Sequence, residues 1–284
     1  MKKIICTDYL VTREQFELVY HPELDLLETT PKPKPSELPR YYKSDAYISH
    51  TDAKDTFFDR IYQFVKRYAV AKKVRLIDAL NTDSKTLLDV GCGTGSFLVS
   101  AQSKKWKVSG IEPNRKAASI ASQKLNSNSK IFPNLDTLLQ DYNSNSFDVI
   151  SLWHVLEHVP NYDEYIKSLQ KLLKPNGVLL VAVPNYKSFD ARYYNEYWAA
   201  YDVPRHLWHF SQKAIRHIFS NYHMSVFKIL PMKLDAYYVS LLSQKNKNGK
   251  ANYLTAFLLG LHSNLKARRS GDYSSLIYLI KNKN

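Results

Sequence analysis

Cysteine is nearly absent. Cys6 and Cys92 stand far apart in a chain of 284 residues. That excludes a disulfide framework and a four-cysteine zinc site. Long apolar runs are missing as well: no stretch of about 18 apolar residues occurs, so a membrane-spanning helix is not expected. Met1-Lys2-Lys3 is basic, but Ile4-Ile5-Cys6 is too short for the core of a signal peptide. A cytoplasmic, soluble protein is therefore expected. No Gly-Lys-Ser/Thr follows the glycine-rich stretch, which removes a nucleoside triphosphate loop. Acidic residues are few, 26 against 40 Lys and Arg, for a net charge of +14. Such a balance invites an anionic partner such as nucleic acid, anionic lipid or an acidic small molecule. It also describes a lysine-rich solvated surface, and the scatter of lysines into stretches such as 245–250 and 281–283 favours that plainer reading.

Apolar residues make up 44% of the chain and aromatics 13%, enough for a sizeable core and too many for disorder. The chain is organised around Thr86-Leu87-Leu88-Asp89-Val90-Gly91-Cys92-Gly93-Thr94-Gly95. A short apolar strand runs into a loop with glycine at every second position, and Ser96-Phe97-Leu98-Val99 resumes with helical spacing. Glycines allow backbone angles closed to other residues and let a ligand approach the main chain. The spacing differs from the G-x-G-x-x-G of a pyrophosphate site. Asp89, two residues before the first glycine, would repel a pyrophosphate and suit a ligand bearing an ammonium group.

Around this stretch the pattern alternates between strand and helix. Residues 52–80 predict a helix with Phe57, Ile61, Phe64, Val65, Tyr68 and Ala71 on one apolar stripe and Thr51 or Asp52 as its cap. Strands are expected at 86–90, 107–111, 130–132, 147–152, 177–183, 224–230 and 274–280. Helices are expected from Pro113, over 165–173 ending at Pro175-Asn176-Gly177, over 212–221, 234–243 and 253–265. This βαβ alternation builds a parallel sheet with ligands at the carboxyl ends of its strands. Glu112 ends the second strand, where an acid accepts hydrogen bonds from ribose hydroxyls in nucleoside-binding folds. Residues 1–50 read as irregular, with a proline-rich connector at 30–35.

Asp89-Val90-Gly91-Cys92-Gly93-Thr94-Gly95, followed by Glu112 and by Leu152-Trp153-His154-Val155-Leu156-Glu157-His158-Val159-Pro160, resembles class I S-adenosylmethionine-dependent methyltransferases. The last stretch is similar to the small-molecule, ubiquinone-biosynthesis O-methyltransferase type. The resemblance covers roughly residues 85–230 and the last strand. It implies a Rossmann-like, seven-stranded, mostly parallel sheet with helices on both faces. The antiparallel last strand would lie between the fifth and sixth. Residues 1–84 would form an N-terminal leader and helical segment, and 85–284 the methyltransferase domain, with an inserted cap at 186–210 and a second insertion at 234–270.

The implied cofactor is S-adenosyl-L-methionine. Asp89 would orient its amine, Gly91, Cys92, Gly93 and Gly95 would contact its methionine part, Glu112 its ribose, and Pro113 would also belong to the cofactor site. Asn134 and Leu135 would hold adenine, and Trp153 would pack alongside. His154 and His206 are the candidate general bases, if the acceptor is a hydroxyl. Arg205, in Asp202-Val203-Pro204-Arg205-His206, is a candidate for an anionic group of the substrate; a structural Asp202–Arg205 pair that locks the loop is the other reading. Tyr42, Tyr47 and His50 would fold over the site, or simply pack the leader. Some relatives carry zinc-binding-like cysteines in the leader; Cys6 alone cannot.

No metal site is expected. His154, Glu157 and His158, spaced i, i+3, i+4, could share a helical face and bind zinc, but in this family the Glu-His pair commonly occurs without metal, fixing the turn. The apolar stripe Leu254, Phe257, Leu258, Leu261 and Leu265, followed by Lys266-Ala267-Arg268-Arg269, is expected to pack on the core; a membrane-surface helix is the alternative. The expected acceptor is a small molecule or lipid-like compound, methylated at oxygen. A non-catalytic scaffold of the same fold and a nucleic-acid methyltransferase are the competing readings. Against the latter, no Asn/Asp-Pro-Pro-Tyr/Phe motif occurs.

Overall fold

The computed structural model describes residues 3–34, 36–42 and 57–283. The first residues are not irregular. Strands β1 (Ile4–Thr7), β2 (Gln15–His21) and β3 (Leu26–Thr30) form an antiparallel meander. Ile4 pairs with Leu18 and Glu17 with Thr30. Phe16 and Leu18 are buried, whereas Glu17 between them is not, which is the period-two pattern of a sheet with one covered face. The Asp8 carboxylate accepts from the backbone N–H groups of Leu10, Val11 and Thr12 and so closes the first turn. A two-residue strand, β9 (Trp208–His209), adds to β3 and completes a four-stranded sheet in the order β1-β2-β3-β9.

The second sheet has seven strands: β4 (Thr86–Val90), β5 (Lys107–Ile111), β6 (Lys130–Phe132), β7 (Phe147–Trp153), β8 (Leu173–Pro184), β10 (Met224–Pro231) and β11 (Ser275–Asn282). Their order is β10-β11-β8-β7-β4-β5-β6. β4 pairs in parallel with β5 and with β7, and β5 with β6. The last strand is antiparallel and lies between β8 and β10, as the Rossmann-like expectation has it. β8 begins at Leu173, so Pro175-Asn176-Gly177 lies within the strand, and the helix it was expected to end stops earlier, at Leu172.

Helices surround this sheet. α1 (Leu38–Tyr41) is one turn, α2 (Phe57–Asp78) precedes β4, and α3 (Ser96–Gln102), α4 (Arg115–Lys124) and α5 (Leu135–Asp141) connect successive strands. α6 (Tyr162–Leu172) precedes β8, α7 (Phe189–Tyr194) follows it, and α8 (Gln212–Ser220) precedes β10. α9 (Asp235–Asn248) and α10 (Tyr253–Ser270) form an antiparallel pair before β11. The expected caps of α2, Thr51 and Asp52, lie outside the described residues. Within α2, Val74 and Ile77 are buried, while Val65 and Tyr68, expected on the buried stripe, are exposed.

α10 also departs from expectation. It buries its small residues, Ala256, Gly260, Ser263 and Ala267, and exposes Leu254, Phe257, Leu258, Leu261 and Leu265. The cause is the closeness of α9: a Cβ on Gly260 would stand 2.8 Å from a Tyr237 ring carbon and 2.9 Å from Tyr237 Cα. Two helices approach this closely only through small side chains.

The chain forms two compact units. One comprises residues 1–48, 154–162 and 182–278; the other comprises 49–153, 163–181 and 279–284. The first has its own core, in which Cys6, Phe16 and Leu18 from the meander pack with Tyr194, Trp198 and Tyr201 from the segment after β8.

Candidate functional site

In the second unit the glycine loop leaves β4 at its carboxyl end. Gly91, Gly93 and Gly95 all have positive φ, 69°, 55° and 75°. Gly95 is the N-cap position of α3. The loop is anchored by backbone bonds: the N–H groups of Gly91 and Cys92 both donate to the Ile111 carbonyl, at 2.8 and 3.0 Å. Glu112 then braces its tip. Its Oε2 accepts from the Gly93 N–H and its Oε1 from the Asn114 N–H, each at 2.8 Å. A Cβ built on Gly93 would meet nothing within 4 Å, so the loop presents open space at its centre. The side chain of Cys92 points the other way. It is buried where a Cβ on Gly110 would come within 2.6 Å of its Sγ, and burial pushes its thiol pKa up. Cys92 therefore offers a ligand main-chain atoms only.

Asp89 lies at the end of β4 and is buried, its Oδ1 accepting from Ser151 Oγ at 2.7 Å. Asp89 and Ser151 are register partners on neighbouring strands. Burial drives the Asp89 carboxyl up to about 7; the Ser151 hydrogen bond and the more distant Lys73 charge offset this only in part. Trp153, at the end of β7, stands edge-on to Phe97 at 5.8 Å, and Lys73 Nζ lies 4.2 Å from its ring centroid. Trp153 Nε1 is buried with no partner among the described residues.

A buried carboxylate short of positive charge, an unsatisfied indole donor and a loop with room where a side chain would stand together fit a ligand with a cationic group and hydrogen-bond acceptors. S-adenosylmethionine has both. Ser151, Lys73 and Phe97 were not picked out from the sequence. Ser151 becomes visible only once β7 is known to lie beside β4.

Pro113 precedes the helix and does not start it. Asn114 is the N-cap of α4, accepting from Lys116 and Ala117. Asn134 caps α5, its Oδ1 accepting from the Thr137 N–H and hydroxyl at 2.9 Å each, and Leu135 is buried behind it. Tyr47 and His50 lie outside the described residues.

The histidine candidates lie in the first unit. His154, at φ 56°, follows β7 directly, and its N–H donates to the Ala182 carbonyl. Glu157 and His158 sit in a single 3-10 turn, so the helical face that would have aligned them with His154 does not form. His154 Nδ1 is 3.3 Å from Glu157 Oε1 and its Nε2 is 3.2 Å from Asp235 Oδ2. Burial alone would lower the His154 pKa, but the hydrogen bonds to Asp235 and Glu157 outweigh it and hold it up to about 10. A base must arrive unprotonated, and a ring between two carboxylates is a cation at neutral pH. These two carboxylate contacts speak against His154 as the base.

His206 is 9% exposed, and its Nδ1 faces the Ala200 carbonyl at 2.8 Å. His158 Nδ1 is 3.0 Å from the Arg205 carbonyl and 3.3 Å from Tyr42 Oη. Arg205 takes the structural role rather than the substrate role. It is 1% exposed; its Nε and Nη2 donate to Asp202 at 3.0 and 2.6 Å, Nη2 to Asp8 at 2.9 Å, and Nη1 to the Tyr41 carbonyl at 2.9 Å. A guanidinium so enclosed has no face open to a substrate anion.

Comparison with known proteins identifies the family and the fold. An O-methyltransferase of ubiquinone biosynthesis from Haemophilus ducreyi is 33% identical over 108 residues, covering 36% of this chain and 46% of that protein. Its counterpart from Actinobacillus pleuropneumoniae serotype 5b is 30% identical over 131 residues, 40% of this chain and 56% of that protein. The chain thus spans about half the length of these curated relatives. Among solved structures, magnesium protoporphyrin IX methyltransferase from Synechocystis PCC 6803, with bound S-adenosylhomocysteine, has a TM-score of 0.57 at 15% identity, covering 88% of this chain and all of that one. The 1,6-didemethyltoxoflavin-N1-methyltransferase of Burkholderia thailandensis has a TM-score of 0.55 at 13% identity, covering 97% and 98%. At these identities the structural likeness speaks for the fold. Residues 60–226 match the family described as "Methyltransferase domain", and over that majority of its length the chain belongs to it.

Proposed function

We propose that this protein is an S-adenosylmethionine-dependent methyltransferase, its catalytic region within residues 85–284, acting on a small-molecule or lipid-like acceptor at oxygen. The observation that carries the reading is the braced glycine loop: Glu112 holds the Gly93 N–H at 2.8 Å while the space at Gly93 stays open. Family membership and the names of the curated relatives support both the cofactor and the oxygen acceptor.

Bound S-adenosylmethionine would supply a methyl group already activated on a sulfonium. The work left to the chain is alignment and exclusion of water. Asp89 would hold the methionine ammonium, the positive charge that its buried carboxyl lacks. The backbone of Gly91, Cys92, Gly93 and Gly95 lines the methionine part. Glu112 has lone pairs left for ribose hydroxyls, since each oxygen accepts one backbone N–H and can accept another. Pro113, Asn134 and Leu135 would flank the adenosine, the side chain of Asn134 being committed to its cap. Trp153 Nε1, which has no partner among the described residues, would donate to the ligand. Of the two candidate bases, His206 is the one not held between two carboxylates: its Nδ1 faces the Ala200 carbonyl and its Nε2 lies 4.0 Å from Asp202 Oδ2. The exposed row Leu254, Phe257, Leu258, Leu261 and Leu265, with Arg268 and Arg269 in the last turn of the same helix, supports a peripheral membrane contact and a lipid-like acceptor.

Calorimetric titration with S-adenosylhomocysteine tests the cofactor. Micromolar binding by the wild type, lost in Asp89→Asn and Glu112→Ala and partly kept in Glu112→Gln, is expected. A folded wild type that does not bind would sink the reading.

A further inference from the structure

The Glu157 side chain is fully buried, and only one of its oxygens is engaged. Oε1 faces His154 Nδ1 at 3.3 Å; Oε2 has no hydrogen-bond partner among the described residues. A carboxylate oxygen left bare in the interior is costly and calls for an occupant. His158 and His206 stand beside it, their rings edge-to-face with centroids 4.6 Å apart. Each of the three residues places one ligand atom within 4.8 Å of the other two.

The orientation of the rings is more telling than their closeness. His158 Nδ1 lies 3.0 Å from the Arg205 carbonyl and His206 Nδ1 lies 2.8 Å from the Ala200 carbonyl. A carbonyl only accepts, so each Nδ1 carries the proton and each neutral ring keeps its lone pair on Nε2. This is the arrangement of metal-ligating histidines, whose second nitrogen is held by a carbonyl or carboxylate that sets the tautomer. One of these carbonyls belongs to Arg205, which is itself locked to Asp8 and Asp202.

We propose that Glu157 Oε2, His158 Nε2 and His206 Nε2 form a three-ligand site for a divalent transition-metal ion of the zinc class. Two imidazoles and one carboxylate suit such an ion, and three protein ligands leave a position open for water or a hydroxyl. Metal–nitrogen bonds of about 2.0–2.1 Å would draw the three atoms closer by small side-chain rotations. The site is not the trio suggested by sequence spacing. His154 is taken up by Glu157 Oε1 and Asp235, and His206 replaces it from a distant loop. An ion here would lower the pKa of a hydroxyl at its open position, whose proton would leave to solvent, and His206 would then serve as a ligand instead of as the base. The proposal does not depend on the identity of the methyl donor.

Untagged protein, stripped with a chelator and dialysed, is titrated with Co2+ and followed by visible absorption. One equivalent is expected to bind with the intense ligand-field bands of a low-coordinate nitrogen–oxygen site, and Zn2+ to displace it. His206→Ala and the near-isosteric Glu157→Gln should each weaken binding at least tenfold, since even outer-shell partners are worth about 10–100-fold. His154→Ala should retain it. Zn2+ should raise the melting temperature of the wild type and not that of Glu157→Gln, whose fold is checked by circular dichroism. No Co2+ binding by the folded wild type overturns the proposal, as does binding that survives both Glu157→Gln and His206→Ala, or that disappears only with His154→Ala.

Discussion

Arg205 and Asp8 lie 197 positions apart in the chain, yet their side chains meet at 2.9 Å with 1% and 0% of their surfaces exposed. Asp202 accepts from the same Nη2 of Arg205 and also from its Nε. The pair ties the first turn of the N-terminal meander to the loop that carries His206. The Arg205 charge and the hydrogen bonds from Thr12 hold the Asp8 carboxyl below its usual value against the upward pull of burial.

Asp8→Ala is expected to destabilise the protein by about 3–5 kcal/mol, because it strands a buried charge. Arg205→Lys should also cost stability, since an ammonium cannot reproduce the fork that serves Asp202 and Asp8 together. Urea unfolding measures both. A loss in Asp8→Ala of under about 1 kcal/mol, the range of a solvent-exposed pair, would show that the pair is not sealed.

Gly93 and Gly110 separate ligand binding from stability. At Gly93 an added methyl meets nothing but must adopt φ 55°, a strain of about 1–2 kcal/mol, and it would occupy the open centre of the loop. Gly93→Ala should fold and bind S-adenosylhomocysteine at least tenfold more weakly. At Gly110 the methyl would press on Cys92 Sγ at 2.6 Å and Ile131 Cδ1 at 2.8 Å. Gly110→Ala should cost about 1–3 kcal/mol, the usual penalty of overpacking. Thermal melts and calorimetry on both variants decide the matter.

Asp89 makes a signed prediction about pH. Its folded pKa, about 7, lies above the unfolded value, so the native state binds the proton more tightly. The stability this group contributes is fully present below the unfolded pKa, near 4. It is lost as pH rises through about 7. In Asp89→Asn that component of the pH dependence should vanish. Binding of an ammonium-bearing ligand should run the other way, strengthening from pH 6 to pH 8 in the wild type and not in the variant. Equal wild-type affinities at the two pH values would remove Asp89 from the ammonium site.

The two faces of α10 should respond in opposite ways. Leu254→Ser and Phe257→Ser alter side chains that are 69% and 54% exposed, and should change stability by no more than about 0.5 kcal/mol. Gly260→Ala places a methyl 2.8 Å from the Tyr237 ring and should cost about 1–3 kcal/mol. Chemical denaturation of the three variants tests which face is the packed one.

Much of this protein is written locally. Strands β4, β5 and β6 occur at the residues expected from their apolar runs, because such runs bounded by turn residues have little else to become. The glycine loop and Glu112 were legible because backbone freedom and charge are properties of residue types. The N-terminal meander was not recognised, although Phe16 and Leu18 alternate with polar neighbours. Short half-buried strands give a weak signal, and the prolines at 31, 33 and 35 suggested an extended connector instead. The leucines of α10 misled for another reason: periodicity identifies an apolar face but not what covers it, and the small residues opposite won the packing.

What the sequence determined by itself is therefore the succession of the seven strands of the large sheet, the loop at Gly91 to Gly95 and the acids that flank it, since each depends on residues close together in the chain. The tertiary structure decided the company each side chain keeps. It placed Ser151 against Asp89 by register, closed Asp8 and Asp202 around Arg205, put His154 between two carboxylates, and turned His206 toward Glu157 and His158. Those relations join residues from separate loops and strands, and local spacing carries no information about which distant group completes a buried charge or a bare lone pair.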